Sequence, residues 1–225
     1  GDAPGAEAIA ALALEVDADV VALPETSHDA GEAVQALLAA SDRPMQLIDR
    51  QADQISKARS TVLLISTALG EYVRDDTVGS TPTLPSVVAV PVDGTGPTFI
   101  GAHPVAPVPG EMQNWRDGLD WLADRCADTD ADVVVAGDLN STLDHWAGLG
   151  SDAGLAACDD VARAVGAAAI GTWPTLLPPL LGAPIDHVLA TPAWQPIGFR
   201  VIESHDGAGS DHRPVVAQLR PAAGS

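Results

Sequence analysis

The sequence Gly209-Ser210-Asp211-His212-Arg213-Pro214 stands directly before the apolar run Val215-Val216-Ala217-Gln218-Leu219, near the end of a chain of 225 residues. The apolar run predicts a buried β-strand over residues 213–219. Carboxylate and imidazole groups, side by side at the head of this strand, are groups that bind metal ions or phosphate. The stretch therefore predicts a sheet that carries chemistry at the ends of its strands.

Four other apolar runs in the chain also meet polar, metal-competent residues at one end. They are the runs that end in Leu23-Pro24-Glu25, Ala102-His103 and Gly137-Asp138-Leu139-Asn140, and the run that begins with Ile185-Asp186-His187. A hydrophobic core does not require such ends, whereas a metal-assisted active site at one edge of a sheet does. We therefore expect these side chains to meet.

The hydrophobic periodicity places helices and strands along one α+β domain. It predicts helices over residues 5–16, 31–40, 111–127 and 151–165, and strands over 20–23, 61–66, 86–92, 97–102, 131–136, 185–190 and 213–219. Asp93-Gly94 predicts a hairpin, and the Pro- and Gly-rich residues 171–184 predict a long ordered loop. No linker divides the chain, so residues 1–225 are expected to form a single sandwich of two sheets with helices outside.

The charge balance limits the classes of partner. The formal net charge is -20, and Lys57 is the only lysine. A protein that binds nucleic acid normally neutralises several phosphates with Lys and Arg, so the charge disfavours DNA and RNA without forbidding a local basic pocket. No apolar run approaches the ~20 residues of a membrane span. The two cysteines, Cys126 and Cys158, suit either one disulfide or two buried thiols.

The candidate residues that come earlier in the chain are suited to metal binding and water activation. Glu25 is a hard oxygen ligand of the kind that Mg²⁺ uses, although a solvated acid at a loop start is the alternative. Asp138 and Asn140 alternate across Leu139, so both can point to one side of an extended segment. The alternative for this pair is a turn that closes a buried strand.

The later motifs suit phosphate binding. Asp186 can accept from one nitrogen of His212 and raise the pKa of the ring, whose second N–H then faces a phosphate. Asp211 is placed to reach a metal directly or through water. His103 is a candidate acid for the leaving alkoxide. His187 is expected on the opposite face of its strand.

Taken in order, these motifs resemble the endonuclease/exonuclease/phosphatase (DNase I-like) superfamily, and Gly171-Thr172-Trp173-Pro174 resembles its bacterial members. The resemblance implies a four-layer α/β/β/α sandwich of two mixed, mainly antiparallel sheets. It also implies hydrolysis of a phosphate ester by in-line attack of water, with Mg²⁺ as the cofactor and Mn²⁺ or Ca²⁺ as alternatives.

The resemblance also assigns roles. Glu25 would hold the metal, with Asp211 as an auxiliary contact. Asp138 would orient or deprotonate the water, and Asn140 would steady the phosphate. His212, supported by Asp186, would bind the phosphate. His103 would assist the leaving group.

One departure concerns the start of the chain. Members of the family usually open with a strand that ends in an Asn supporting the metal site, and Gly1-Asp2-Ala3 begins where that strand should have ended. Bacterial relatives often carry N-terminal membrane helices, so we expect an extracytoplasmic, secreted or membrane-anchored monomer, with a cytoplasmic location as the alternative. In that compartment Cys126 and Cys158 are expected to be bonded.

Three functions remain open. The favoured one is a metal-dependent phosphodiesterase or phosphomonoesterase that acts on a small or lipid-derived substrate. The second is a nuclease, which the charge opposes. The third is a non-catalytic binding module on the same fold, which the absent first strand suggests.

Overall fold

The computed structural model describes residues 5–52, 59–148 and 154–222. Its helices are α1 (Ala6–Glu15), α2 (His28–Ala40), α3 (Met112–Arg125), α4 (Leu143–Gly148) and α5 (Val161–Ala164). Its strands are β1 (Val20–Pro24), β2 (Met45–Gln51), β3 (Ser60–Ser66), β4 (Tyr72–Arg74), β5 (Val87–Pro91), β6 (Thr98–Ala102), β7 (Val133–Asp138), β8 (Gly154–Leu155), β9 (Cys158–Asp160), β10 (Asp186–Ala190), β11 (Trp194–Val201) and β12 (Val215–Pro221).

The largest sheet has seven strands in the order β4-β5-β6-β7-β10-β9-β8. Within it, β6 and β7 are parallel, and the other pairs are antiparallel. The antiparallel pairing of β5 with β6 confirms the hairpin expected at Asp93-Gly94. The remaining strands form two antiparallel sheets with the orders β1-β3-β2 and β11-β12.

Three hydrophobic cores separate four layers. In β3, Val62 and Leu64 face α1 and α2, whereas Leu63 and Ile65 face the seven-stranded sheet. In β7, Val133 and Val135 lie in the core beneath α3, while the intervening Val134 faces the core between the sheets. Strands with both faces covered carry continuous apolar runs because successive side chains alternate between the two faces. The four-layer α/β/β/α sandwich is therefore confirmed.

The second layer differs from the expectation in one respect, because it contains two separate sheets and neither is mixed. Strand β1 packs across β6 and β7, and β12 packs across β10. Among the described residues, β1 pairs only with β3, and β12 pairs only with β11. One edge of each strand therefore lacks a described partner. The expected absence of a first strand concerns residues 1–4, which lie outside the described part.

The helix predicted over residues 151–165 is wrong. Residues 154–160 form the hairpin of β8 and β9, and only Val161–Ala164 are helical. The hairpin brings backbones so close that a Cβ on Gly154 would lie 1.8 Å from the carbonyl oxygen of Cys158. Cys158 is bonded to Cys126 at the end of α3, which confirms the expected disulfide.

The other predicted helices and strands are present with boundaries shifted by a few residues. The sequence patterns missed β2, β4 and β11, as well as the short helix α4. No helix in residues 5–52, 59–148 or 154–222 combines the length and the apolar character needed to cross a bilayer.

Candidate active site

The strand ends meet at one edge of the large sheet. Asp186, the first residue of β10, pairs directly with Asp138, the last residue of β7. His103 follows β6, whose Ala102 pairs in parallel with Gly137. These three side chains are therefore brought together because the end of β7 meets both the end of a parallel neighbour and the start of an antiparallel one.

His212 lies between two carboxylates. Its Nδ1 is 2.9 Å from Oδ2 of Asp186, and its Nε2 is 3.9 Å from Oδ2 of Asp138. Burial opposes a charge on the ring, but the hydrogen bond to Asp186 and the charges of Asp186, Asp138 and Asp211 outweigh it. They raise the pKa of His212 to about 9. The ring is thus cationic at neutral pH, as expected from its partnership with Asp186.

Asp138 is buried beside the charged partners that determine its protonation. Burial is the main cause that raises the pKa of this carboxyl group, and the negative charges of Asp186 and Glu25 add to it. The His212 ring and the backbone N–H of Asn140, which donates to Oδ1 at 2.8 Å, act in the opposite direction. Burial prevails, so the pKa of Asp138 is raised to about 8.

Asn140 is held firmly next to Asp138. Its Nδ2 donates to the backbone carbonyl oxygen of Pro104 at 3.0 Å, and its backbone carbonyl oxygen accepts from the Trp115 indole at 3.0 Å. Its backbone is in the left-handed region, with φ 47°. An NH₂ group has two hydrogens, so the bond to Pro104 leaves one of them for a ligand.

His103 is 1% exposed and packs at the base of the cluster. Burial and the neighbouring His212 cation lower the pKa of His103 to about 4, so its ring is neutral at neutral pH. Its Nε2 lies 3.8 Å from Oε1 of Glu25, and its Nδ1 has no hydrogen-bond partner in the described part of the chain. A buried ring nitrogen without a partner is costly.

Glu25 and Asp211, the two residues predicted as metal ligands, have different surroundings. Glu25 follows β1 in the left-handed conformation (φ 54°), and its exposed carboxylate faces His103. Asp211 is also exposed, but its Oδ2 accepts from the Trp173 indole at 3.1 Å. Partial burial opposes its charge, yet that bond and His212 hold the pKa of Asp211 below its usual value. Glu25 thus joins the cluster, whereas Asp211 is turned towards a loop.

A metal ion could be held by a group that differs from the predicted ligands. Asp138, Asp186 and His212 each offer one ligand atom, and these atoms all lie within 4.8 Å of one another. Two carboxylates suit a hard divalent cation, and a bound cation would favour the charged form of Asp138, whose pKa is raised mainly by burial. The metal roles of Glu25 and Asp211 stay predictions.

The sequence patterns missed the residues that brace the site from the loop over residues 171–184. Oγ1 of Thr172 accepts from the backbone N–H groups of Ile185 and Asp186. The buried guanidinium of Arg213 donates to several backbone carbonyls of the loop and to Asp206. The only sequence feature that could have indicated a supporting role for Arg213 was its position directly after His212.

His187 faces away from the cluster, as expected. Its Nδ1 lies 2.8 Å from buried Asp160, and its Nε2 lies 2.9 Å from the carbonyl oxygen of Ser141. These contacts tie β10 to β9 and to the segment before α4, so His187 supports the strand that presents Asp186.

Solved structures with the same fold extend over almost the whole chain. An endonuclease/exonuclease/phosphatase from Beutenbergia cavernae matches with a TM-score of 0.68 and 20% identity, covering 96% of this chain and 66% of that one. TDP2 of D. rerio, solved with a single strand DNA product, matches with a TM-score of 0.70 and 19% identity, covering 96% of this chain and 91% of that one. An endonuclease/exonuclease/phosphatase from Bacteroides vulgatus matches with a TM-score of 0.67 and 16% identity, covering 97% of this chain and 90% of that one.

No curated protein sequence matches the chain. A family model does match it, over residues 1–212, which include every candidate site residue named above. With its four layers and its acid–imidazole cluster at the strand ends, the chain belongs to the endonuclease/exonuclease/phosphatase family.

Proposed function

We propose that this protein is a phosphoric ester hydrolase that depends on a divalent metal ion, with Mg²⁺ as the natural ion. The observation that carries the proposal is the cluster of Asp138, Asp186 and His212, whose ligand atoms lie within 4.8 Å of one another. Family membership supports hydrolase chemistry. The disulfide supports an extracytoplasmic location.

The ion would be held by Asp138 and Asp186, whose ligand atoms lie close together, with Glu25 from the facing sheet as a further ligand. When bound, it would stabilise the negative charge that develops on the phosphoryl oxygens. Asp211 would contribute only after it leaves the Trp173 indole.

The protein's own residues would position the substrate and the water. The His212 ring, fixed by Asp186, would donate from Nε2 to a phosphoryl oxygen. Asp138 would orient the water whose oxygen bonds to phosphorus as the ester P–O bond breaks, and the free Asn140 amide hydrogen would steady the phosphate. His103, whose ring is neutral and whose Nε2 lies near Glu25, would donate a hydrogen bond to the leaving oxygen.

The test uses bis-p-nitrophenyl phosphate and p-nitrophenyl phosphate with Mg²⁺, with Mn²⁺, and with excess chelator. Turnover is expected with Mg²⁺ or Mn²⁺ and not with excess chelator. Asp138→Asn and His212→Gln should each lower kcat by about 100-fold or more, because positioned proton donors and acceptors contribute 10²–10⁴. Asp159→Asn, an exposed acid on β9, is the matched control. Unchanged rates in both site variants would overturn the proposal.

A nuclease is the second candidate, because TDP2 of D. rerio shares the fold and was solved with a single strand DNA product. The net charge of -20 counts against it. Nicking of plasmid or degradation of single-stranded DNA at low salt, abolished by Asp138→Asn, would favour this candidate over a small substrate.

A further inference from the structure

The loop over residues 171–184, hereafter the leucine loop, exposes an unusual amount of apolar surface. Leu176 is 92% exposed, Leu180 79% and Leu181 70%, and Leu177 and Trp173 are partly exposed beside them. The loop contains no charged residue, in a chain with 31 acids and 11 bases. Contiguous exposed apolar surface of this kind marks interaction sites on proteins.

The exposure is built into the fold. The Arg213 side chain donates to the carbonyl oxygens of Gly171, Thr175 and Leu177. Trp173 and Ala183 form a β-bridge across the base of the loop, and four prolines restrict its backbone. The protein therefore holds these leucines in water although their burial would be favourable.

The same loop borders the catalytic cluster. The Trp173 indole donates to Asp211 and lies 6.4 Å from the His212 ring, centroid to centroid. Thr172 holds the backbone at Asp186. A ligand whose phosphate lies at His212 therefore has Trp173 beside it, on the same loop that carries the exposed leucines.

Charge selects among the occupants of such a surface. The strongly acidic chain would be repelled by anionic lipids and by acidic proteins. An uncharged, leucine-rich loop with an indole at its base suits the boundary between the headgroups and acyl chains of a zwitterionic bilayer, where Trp is favoured. Apolar residues there gain burial without requiring basic side chains.

We propose that the leucine loop inserts into zwitterionic phospholipid surfaces and that the substrate is an amphiphilic phosphate ester presented there. The choice of substrate rests on the proposed hydrolase. The insertion does not, because it needs only the exposed leucines.

The binding test is co-sedimentation of the protein with phosphatidylcholine vesicles at physiological salt. Wild-type protein should bind, and the triple variant Leu176→Ser, Leu180→Ser, Leu181→Ser should bind at least ten-fold more weakly with an unchanged melting temperature. The matched control replaces three exposed residues elsewhere, Val73→Ser, Val92→Ser and Ile197→Ser, and should bind like wild type. Adding phosphatidylglycerol to the vesicles should weaken binding.

Activity separates the two proposals. For the leucine variant, the rate on phosphatidylcholine in mixed micelles, divided by the rate on bis-p-nitrophenyl phosphate, should fall at least ten-fold. Vesicle binding without any hydrolysis would leave insertion standing and remove the hydrolase. Absence of wild-type binding, equal binding by the leucine variant, or a wild-type dimer that this variant dissociates would overturn insertion.

Discussion

At the scale of single residues, the site depends on how Asp186 controls the charge of His212. The two side chains are 26 residues apart in sequence, and the β7–β10 pairing sets Asp186 opposite Asp138 so that the imidazole contacts both. The hydrogen bond from Nδ1 orients the ring and leaves the N–H of Nε2 facing Asp138. The charge of His212 is thus determined largely by a residue 26 positions earlier in the chain.

We expect Asp186→Asn to lower the pKa of His212 from about 9 towards the unperturbed ~6.5. The raised folded-state pKa contributes stability that is complete below about pH 6.5 and is lost as the pH rises through about 9. In the variant, this loss of stability on the alkaline side should largely disappear. NMR titration of the ring in metal-free protein, with urea unfolding at pH 6 and 10, provides the measurement. An unchanged pKa would show that Asp186 does not set the charge.

The sequence predicted the positions of site residues that lie next to strands. It did not predict the direction of side chains that depend on contacts with a loop. Asp138, Asp186 and His212 lie at strand ends, so the apolar runs located them. The direction of the Asp211 side chain depends on Trp173, whose position depends on contacts that Arg213 makes with a distant loop. Such contacts leave no local periodicity in the sequence.

At the scale of elements, residues 151–165 show how tertiary contacts override a helical pattern. The segment carries Ala, Leu and Val at helical spacing, but Cys158 is fixed to α3 by its disulfide. Asp160 is buried, bonds to His187, and accepts from the backbone of Arg163 as the N-cap of the short α5. The helix therefore begins at Val161, after the hairpin that these contacts require.

The disulfide closes a loop that contains Asp138 and Asn140. With Cys126 and Cys158 separated by 32 residues, its reduction should lower the free energy of unfolding by about 3–4 kcal/mol, since the unfolded chain regains loop entropy. Urea unfolding with and without reductant measures the change, and the double variant Cys126→Ala, Cys158→Ala is the control that should not respond to reductant. An equal midpoint for the oxidised and reduced wild type would contradict the expectation.

At the scale of the whole molecule, the layers followed from the sequence more readily than the arrangement of strands within them. The alternation of predicted helices and strands, followed by the hairpin at Asp93-Gly94, indicated two sheets with helices outside, and the family resemblance indicated four layers. The strands that were missed, such as β2 with polar residues at four of its seven positions and β11 with Pro196 and Gly198, carry weak local signals. Their pairing is determined by partners far along the chain.

The unpartnered edges of β1 and β12 have a consequence for local opening that hydrogen exchange would detect. The bond from the Ser66 N–H to the carbonyl oxygen of Asp19 fixes the alternation, so the N–H groups of Val20 and Ala22 point away from β3. No described residue accepts from them. Their amides should therefore exchange much faster than those of Val21 and Leu23, and equally slow exchange would reveal a covered edge.

This edge borders the chemistry on both sides, since Glu25 follows β1 and His212 precedes β12. Local unfolding free energies are lowest where backbone hydrogen bonds are fewest. The strands that bring Glu25 and His212 to the cluster each have an edge without a described partner, so local opening at these edges would loosen the site itself.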